Sequence, residues 1–258
     1  MSSDELQVLA VLTGQIAAII GYLLALTLTI YYSTEAMRKP FMKGIGVDAL
    51  WSAFLIVPFI LGALMGLPWY LTFVLMVSYL AVWSQVDRRL RGKPGDFSIA
   101  AYWIERDGWG RYLLGWWCTA AIPLFFLVRL TELLVYPVLV VAWGLPPLRA
   151  SDYIMLSRHK WEGLVGADLV YCLYCEWMTG VWSLGSAQLQ NIESMWCPLR
   201  FRSEVQCEKC KAFFPDVNAW ARPEDGMPGV EKFYRENYDD RPMQQRSALN
   251  QRTGKQKR

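Results

Sequence analysis

Long uncharged apolar runs alternate with short polar breaks over the first 147 residues. Leu6 to Tyr32 carries no charge across 27 residues, whereas about 20 apolar residues are enough for a helix to cross the hydrocarbon core of a bilayer. The preceding Asp4 and Glu5 are acidic. A cleaved export signal would start basic and be shorter, so this run reads as a permanent helix. Residues 48–67 and 69–84 form two further runs, parted by Gly66-Leu67-Pro68, and predict a helical hairpin. Pro58 is placed to kink its first arm, which bilayer helices tolerate when neighbours satisfy the freed carbonyl. A buried hairpin of a soluble protein gives the same pattern but needs a far larger polar shell than this chain carries.

The last apolar stretch, Tyr112 to Leu145, would be about 50 Å long as one helix, too long for a single crossing. Arg129 and Glu132 lie near its middle. The simplest solution is a fold-back there, giving spans over 112–128 and 131–146 with the charged pair at the far surface. A re-entrant or surface-lying segment is the alternative. A pair left inside the bilayer would itself be a candidate functional site. Residues 93–111 read as a polar link with Gly92, Pro94 and Gly95 as breakers, followed by YWIERDGWGR. In that motif Trp103 and Trp109 suit an interfacial belt, and Glu105, Arg106 and Asp107 suit a solvated turn.

Charge sets the orientation. Arg38, Lys39 and Lys43 follow the first span, and Arg88, Arg89, Arg91 and Lys93 follow the third. Both clusters belong on the cytoplasmic side. The expected fold is therefore an all-α polytopic membrane protein of about five transmembrane helices in the inner membrane, N-terminus out and C-terminus in. Residues 1–147 form the transmembrane domain, 148–220 a cysteine-rich, metal-stabilised cytoplasmic region, and 221–258 a polar basic tail. The final 20 residues hold six basic and two acidic side chains, a composition that favours disorder and could meet anionic headgroups.

Composition narrows the chemistry. Hydrophobic residues make up 54% of the chain and the net charge is only +3. No basic groove with interleaved aromatics is visible, so nucleic acid is not an expected partner. The only histidine is His159, which excludes di-iron hydroxylase, bis-histidine haem and His-Glu-x-x-His zinc chemistry. The haem attachment pattern is absent too, since Glu176 and Lys211 follow the two Cys-x-x-Cys pairs.

Five of the six cysteines fall between Tyr171 and Cys210: Cys172 and Cys175 in YCLYCEW, Cys197 in SMWCPLRF, Cys207 and Cys210 in QCEKCKAFF. In a reducing compartment such spacing points to metal or redox roles rather than structural disulfides. Four thiolates would make a tetrahedral zinc site or hold an iron–sulfur cluster, and the CEKCK knuckle leans toward zinc. A helix running from Gly163 to Gly180 or beyond would stack Asp168, Cys172 and Cys175 on one face, with Glu176 one turn past Cys172. Incidental thiols on a Trp-rich packing surface and a thioredoxin-type pair are the competing readings. Cys118 is expected to be a packed apolar-run residue, and His159 an interfacial one.

YCLYCEWMTG followed by NIESMWCPL resembles a pattern in short, uncharacterised bacterial proteins with an Asn-Cys-x-Tyr-Cys segment and a later Glu-x-x-Trp-Cys-Pro. The resemblance covers residues 162–199 and none of the membrane spans. It implies that Cys172, Cys175, Cys197 and Glu193 form one unit. In those proteins Lys-His follows the Cys-Pro segment, whereas Leu199-Arg200-Phe201 stands here, which leaves Cys207 or Cys210 to supply a fourth ligand. The resemblance implies no activity.

The functional expectation is an integral membrane subunit whose cysteine-ligated metal centre, zinc or iron–sulfur, docks or passes electrons to a protein partner. The alternative is a membrane enzyme acting on a lipid-soluble substrate, with Glu105, Asp107, Arg129, Glu132, Asp168, Glu176 and Glu193 as candidate groups. A pocket at the bilayer surface gathering several of them would favour it.

Overall fold

A computed structural model describes residues 2–93, 97–145, 147–196 and 223–236. It is 86% helical, with no strand among the described residues. Four helical runs are long and apolar enough to cross a membrane: Ser3–Tyr32, Ile45–Leu64, Trp69–Arg91 and Ile99–Trp143. Among the described residues the candidate spans thus number four, rather than about five. The chain groups into two compact units, one of residues 1–121 with 150–180, the other of residues 122–149 with 181–258.

In the first unit, helix α1 (Ser3–Tyr32) opens with a capping box in which Ser2 and Glu5 satisfy each other's backbone N–H groups. Its Ile19 and Leu23 pack with Leu67 as a small buried cluster. Most other apolar side chains of α1 face outward, among them Val8, Val11 and Leu24, as expected where the surrounding solvent is itself apolar. A short helix α2 (Glu35–Arg38), capped by Thr34, leads through a 3₁₀ turn (Lys39–Met42) into α3 (Ile45–Leu55).

The expected hairpin is present. Its first arm is interrupted at Ile56, beside Pro58, and resumes as α4 (Val57–Leu64). Gly66 takes φ +76 in the turn, a conformation that favours glycine, and α5 (Trp69–Arg91) returns. A Cβ on Gly62 would stand 2.4 Å from Thr72 Oγ1, so the glycine lets the two arms touch, as small residues do in apolar helix pairs. Across to α1, Tyr79 donates to Thr27 (2.7 Å) and Tyr22 to the Ala53 carbonyl (3.0 Å).

Two expectations for the next stretch are corrected. The polar link over 93–111 is mostly helix: α6 runs Ile99–Gly115, kinked at Gly108 (φ 81, ψ 164). Glu105, Arg106 and Asp107 therefore lie on a helix rather than in a turn, with Arg106 over the Trp103 ring at 5.2 Å.

A 3₁₀ segment (Trp116–Ala121) follows α6, and in the second unit α7 (Ile122–Trp143) is one continuous helix. The chain does not fold back at residues 129–132, so 112–128 and 131–146 are not separate spans. The fold-back was inferred to keep charge out of an apolar stretch. Instead Arg129 and Glu132, buried and three residues apart, pair with each other on one face, the arrangement in which charged side chains are found in apolar surroundings. No Gly, Pro or Asn at 129–132 would have made a tight turn.

Helix α8 (Gly166–Trp196) contains YCLYCEW; residues up to Gly180 belong to the first unit and the rest to the second. In the second unit Gly185 gives Glu132 room, since a Cβ there would meet Oε1 at 2.9 Å. Asn191 donates to the Tyr136 hydroxyl (2.9 Å), and Phe125 meets Trp182 edge-on. A last helix, α9 (Gly226–Tyr234), buries Val230.

The 150–180 segment is tied closely to the rest of its unit. Lys43 and Met155 form an antiparallel bridge, and the Gly44 N–H donates to the Ile154 carbonyl at 2.8 Å. Trp177 is fully buried and donates to Asp48 (3.0 Å). A Cβ on Gly180 would stand 2.7 Å from the Tyr153 carbonyl oxygen. Gly180→Ala is accordingly expected to lose about 1–3 kcal/mol in denaturant unfolding. Gly110→Ala, whose Cβ meets nothing within 4 Å, should leave stability unchanged or slightly raised.

Candidate binding pocket on helices α6 and α8

The site is built around the start of α8. A helix N-terminus leaves backbone N–H groups without intrahelical partners, and two helices here meet that need with carboxylates from elsewhere in the chain. Asp168, buried in the first turn of α8, caps α6 rather than its own helix. Its Oδ1 accepts from Ala100 N (2.8 Å), and its Oδ2 from Ile99 N, Ser98 Oγ and Arg88 Nη2, each at 3.0 Å. Ser98 adds the conventional cap, accepting from Ala101 N at 3.2 Å. The negative charge sits where the α6 dipole favours it.

Asp87, next to Arg88 on α5, performs the reciprocal task. It accepts the Gly166 N–H at the start of α8 (2.7 Å) while holding Arg91 in a two-pronged ion pair at 2.6 Å. Gly166 (φ +64) is required there, because a Cβ would come within 2.7 Å of the Ser84 carbonyl oxygen.

Beside this clasp, between α6 and the first half of α8, lies a cavity of about 360 Å³. Trp103, Tyr112, Trp116 and Tyr171 supply aromatic walls, with Trp116 and Tyr171 edge-to-face at 5.1 Å. The polar lining is sparse: Asp107, Arg111, Asp168 and Cys172. Asp107 and Arg111 form an ion pair one turn apart (3.3 Å), with Arg111 largely exposed at the rim. Gly115 also lines the cavity and leaves open space where a side chain would go. Mostly apolar walls with a few convergent polar groups are the usual make-up of a small-molecule pocket.

The structure brings together some of the sequence candidates. Asp107, Asp168 and Cys172 share the pocket. Cys175 lies one turn further along α8 and Cys118 is near by; both interact with Tyr171, whose hydroxyl is 3.7 Å from Cys118 Sγ. Burial, and then the neighbouring Cys118 and Cys172, pushes the Cys175 thiol up from its ordinary value. Cys118, Cys172 and Cys175 are all free thiols. Among the described residues no group of three or more His, Cys, Asp or Glu side chains is arranged to hold a metal ion; Cys197, Cys207 and Cys210 lie outside the described residues.

Other candidates serve structure. Glu176 accepts from the backbone N–H groups of Ser157 and Arg158, both at 3.0 Å. Glu105 is exposed on α6, and Arg129, Glu132 and Glu193 belong to the second unit. Arg88, Asp87 and the aromatic walls were missed by sequence reasoning. Arg88 was read only as part of a basic cluster and Trp103 only as interfacial belt, while Asp87, Tyr112, Trp116 and Tyr171 carried no site reading. Comparison with known proteins finds no protein-family model, no curated protein and no solved structure that matches this chain.

Replacing the capping carboxylate tests the clasp. Asp168→Asn keeps the shape but removes the charge and turns an N–H₂ toward backbone donors. It should cost about 3 kcal/mol in denaturant unfolding and speed chymotryptic cleavage after Phe97, the exposed residue just before the released start of α6.

Proposed function

We propose that this chain is an integral membrane protein that binds a lipid-soluble small molecule in the α6–α8 pocket, at the bilayer surface. The carrying observation is the cavity itself, apolar and aromatic in its walls and polar at only a few points. Its helix α6 combines charged residues and exposed Trp103 and Trp109 with continuation into a long apolar run, the make-up of a segment at the membrane–water boundary. A ligand partitioned in the bilayer would reach such a pocket laterally. The engagement of Asp168 by four donors and of Asp107 by Arg111 suits binding and orientation better than proton transfer, so the reading is of a binder rather than a carboxylate enzyme. The inner membrane, with the basic loops cytoplasmic, remains the proposed location.

Gly115→Phe provides the test, because Gly115 lines the pocket and a Cβ there meets no neighbouring atom, so the ring can be added at the pocket wall without a clash at its base. Organic extraction of the purified protein followed by mass spectrometry should find a lipid-soluble compound in stoichiometric amount with the wild type and at least ten-fold less with the variant, both folding alike. Equal amounts, or none with either, would reject the pocket reading.

A second reading is favoured by the free thiols Cys172 and Cys175, one turn apart on α8. In it they join Cys197, Cys207 and Cys210 in a zinc or iron–sulfur centre that docks or serves a partner protein. Anaerobically purified protein should then contain one metal equivalent, colourless for zinc or brown for iron–sulfur, and lose it in the Cys172→Ser/Cys175→Ser variant. No metal in either preparation would dismiss this reading.

A further inference from the structure

The pocket leaves unexplained a second polar surface, made by residues 37–43 and 155–161. The connection between α1 and α3 and the loop before α8 are stitched together by the Lys43–Met155 bridge and by Leu156 N donating to the Met42 carbonyl (2.9 Å). The stitch joins two segments that each carry a run of cations, Arg38, Lys39 and Lys43 in the first and Arg158 and Lys160 in the second, and sets Lys43 against Met155 and Arg38 close to His159. Arg158 faces Glu176 at 3.9 Å. Among the described residues, Arg38, Lys39, Lys43 and Lys160 have no carboxylate within ion-pair distance.

His159 sits among them. Its proton affinity is lowered by partial burial, then by Lys160 and Arg38, against the weaker opposite pull of Glu176 and Glu35. Lys160 from one segment and Arg38 from the other therefore act on the same point in space.

Interleaved with the cations are exposed apolar side chains: Met37, Phe41, Met155 and Trp161, the last 76% exposed. The surface lies at the C-terminal end of α1, where Tyr31 meets Trp83 edge-on, an aromatic pairing suited to a membrane–water boundary. A soluble phosphate would need the cations alone. Cations interleaved with outward apolar groups, beside the end of an apolar helix, match a molecule with an anionic head and hydrocarbon tails.

We propose that Arg38, Lys39, Lys43 and Lys160 bind the phosphate of an anionic phospholipid, whose acyl chains lie along Phe41, Met155 and Trp161. The recognised chemistry is a phosphate diester. Its charge would be held by cations of two chain segments, so that the lipid also braces the Lys43–Met155 stitch.

His159 is the only histidine in the chain, so its ring gives a single reporter resonance inside the site. The full-length protein is placed in nanodiscs of phosphatidylcholine, with or without one-third phosphatidylglycerol, and the histidine titration is followed by NMR. A bound phosphate favours the protonated ring, so phosphatidylglycerol should raise the titration midpoint. In Arg38→Gln/Lys160→Gln protein, the difference between the two lipid mixtures should fall by at least half. No rise with phosphatidylglycerol would overturn the site. An undiminished rise in the double variant would reduce it to general surface potential and overturn the assignment to these cations. An equal rise on adding inorganic phosphate to phosphatidylcholine discs would make the ligand free phosphate and overturn the lipid. Co-purified phosphatidylglycerol, counted by native mass spectrometry, should decrease in parallel in the variant and stay unchanged in Lys232→Gln, a substitution far along the chain.

Discussion

The exchange of carboxylates between helix starts is the constraint on which the first unit depends. Asp168 of α8 caps α6, and Asp87 of α5 caps α8. Each carboxylate is buried; two backbone N–H groups and Arg88 compensate Asp168, and one backbone N–H and Arg91 compensate Asp87. Buried charge is tolerated only with such complete pairing. The geometry is therefore close to all-or-none. If α8 turned by one residue, Asp168 would leave α6, and four donors would lose their acceptor together. The cavity beside Asp168 inherits this rigidity, since its two walls are the helices that the clasp joins.

Apolar packing alone could not fix that register. Few side chains of α1 are buried, and a lipid-facing helix gains little by hiding apolar surface, because lipid tails are as apolar as a leucine side chain. Specificity passes to polar contacts and to glycines that allow close approach. Tyr79 on Thr27, Trp177 on Asp48, and Gly62 against Thr72 in the first unit illustrate it. So, in the second unit, do Glu132 against Gly185 and Asn191 on Tyr136.

Much of this fold was legible in the sequence because apolar runs of membrane-spanning length are an unusually strong signal. The first helix, the hairpin, its Gly66 turn and the interruption by Pro58 all followed from it. The signal failed where a charge had to be located. Arg129 and Glu132 were moved to a surface because each alone is costly in an apolar stretch, yet their spacing of three residues let them neutralise one another within α7. Residues 99–111 look polar in a window average, but Ser98 as cap and Asp168 from far along the chain make them helical. The pocket was only half legible. Asp168 and Cys172 could be placed on one helix face from spacing alone, whereas the opposite wall, Trp103, Tyr112 and Trp116, depends on a contact between residues almost 70 positions apart.

The same long separations set an order of events during synthesis. Gly166 is 79 residues beyond Asp87, Asp168 is 69 beyond Ile99, and Trp177 is 129 beyond Asp48. Contacts so distant along the chain form late and slowly. Until the ribosome has released the start of α8, the α6 amide groups have no carboxylate to receive them, and Asp48 has no indole. The helices that emerge first thus wait in an incomplete arrangement for one late segment, and a nascent chain stalled short of Gly166 would present quality-control proteases with an α6 that lacks its capping carboxylate.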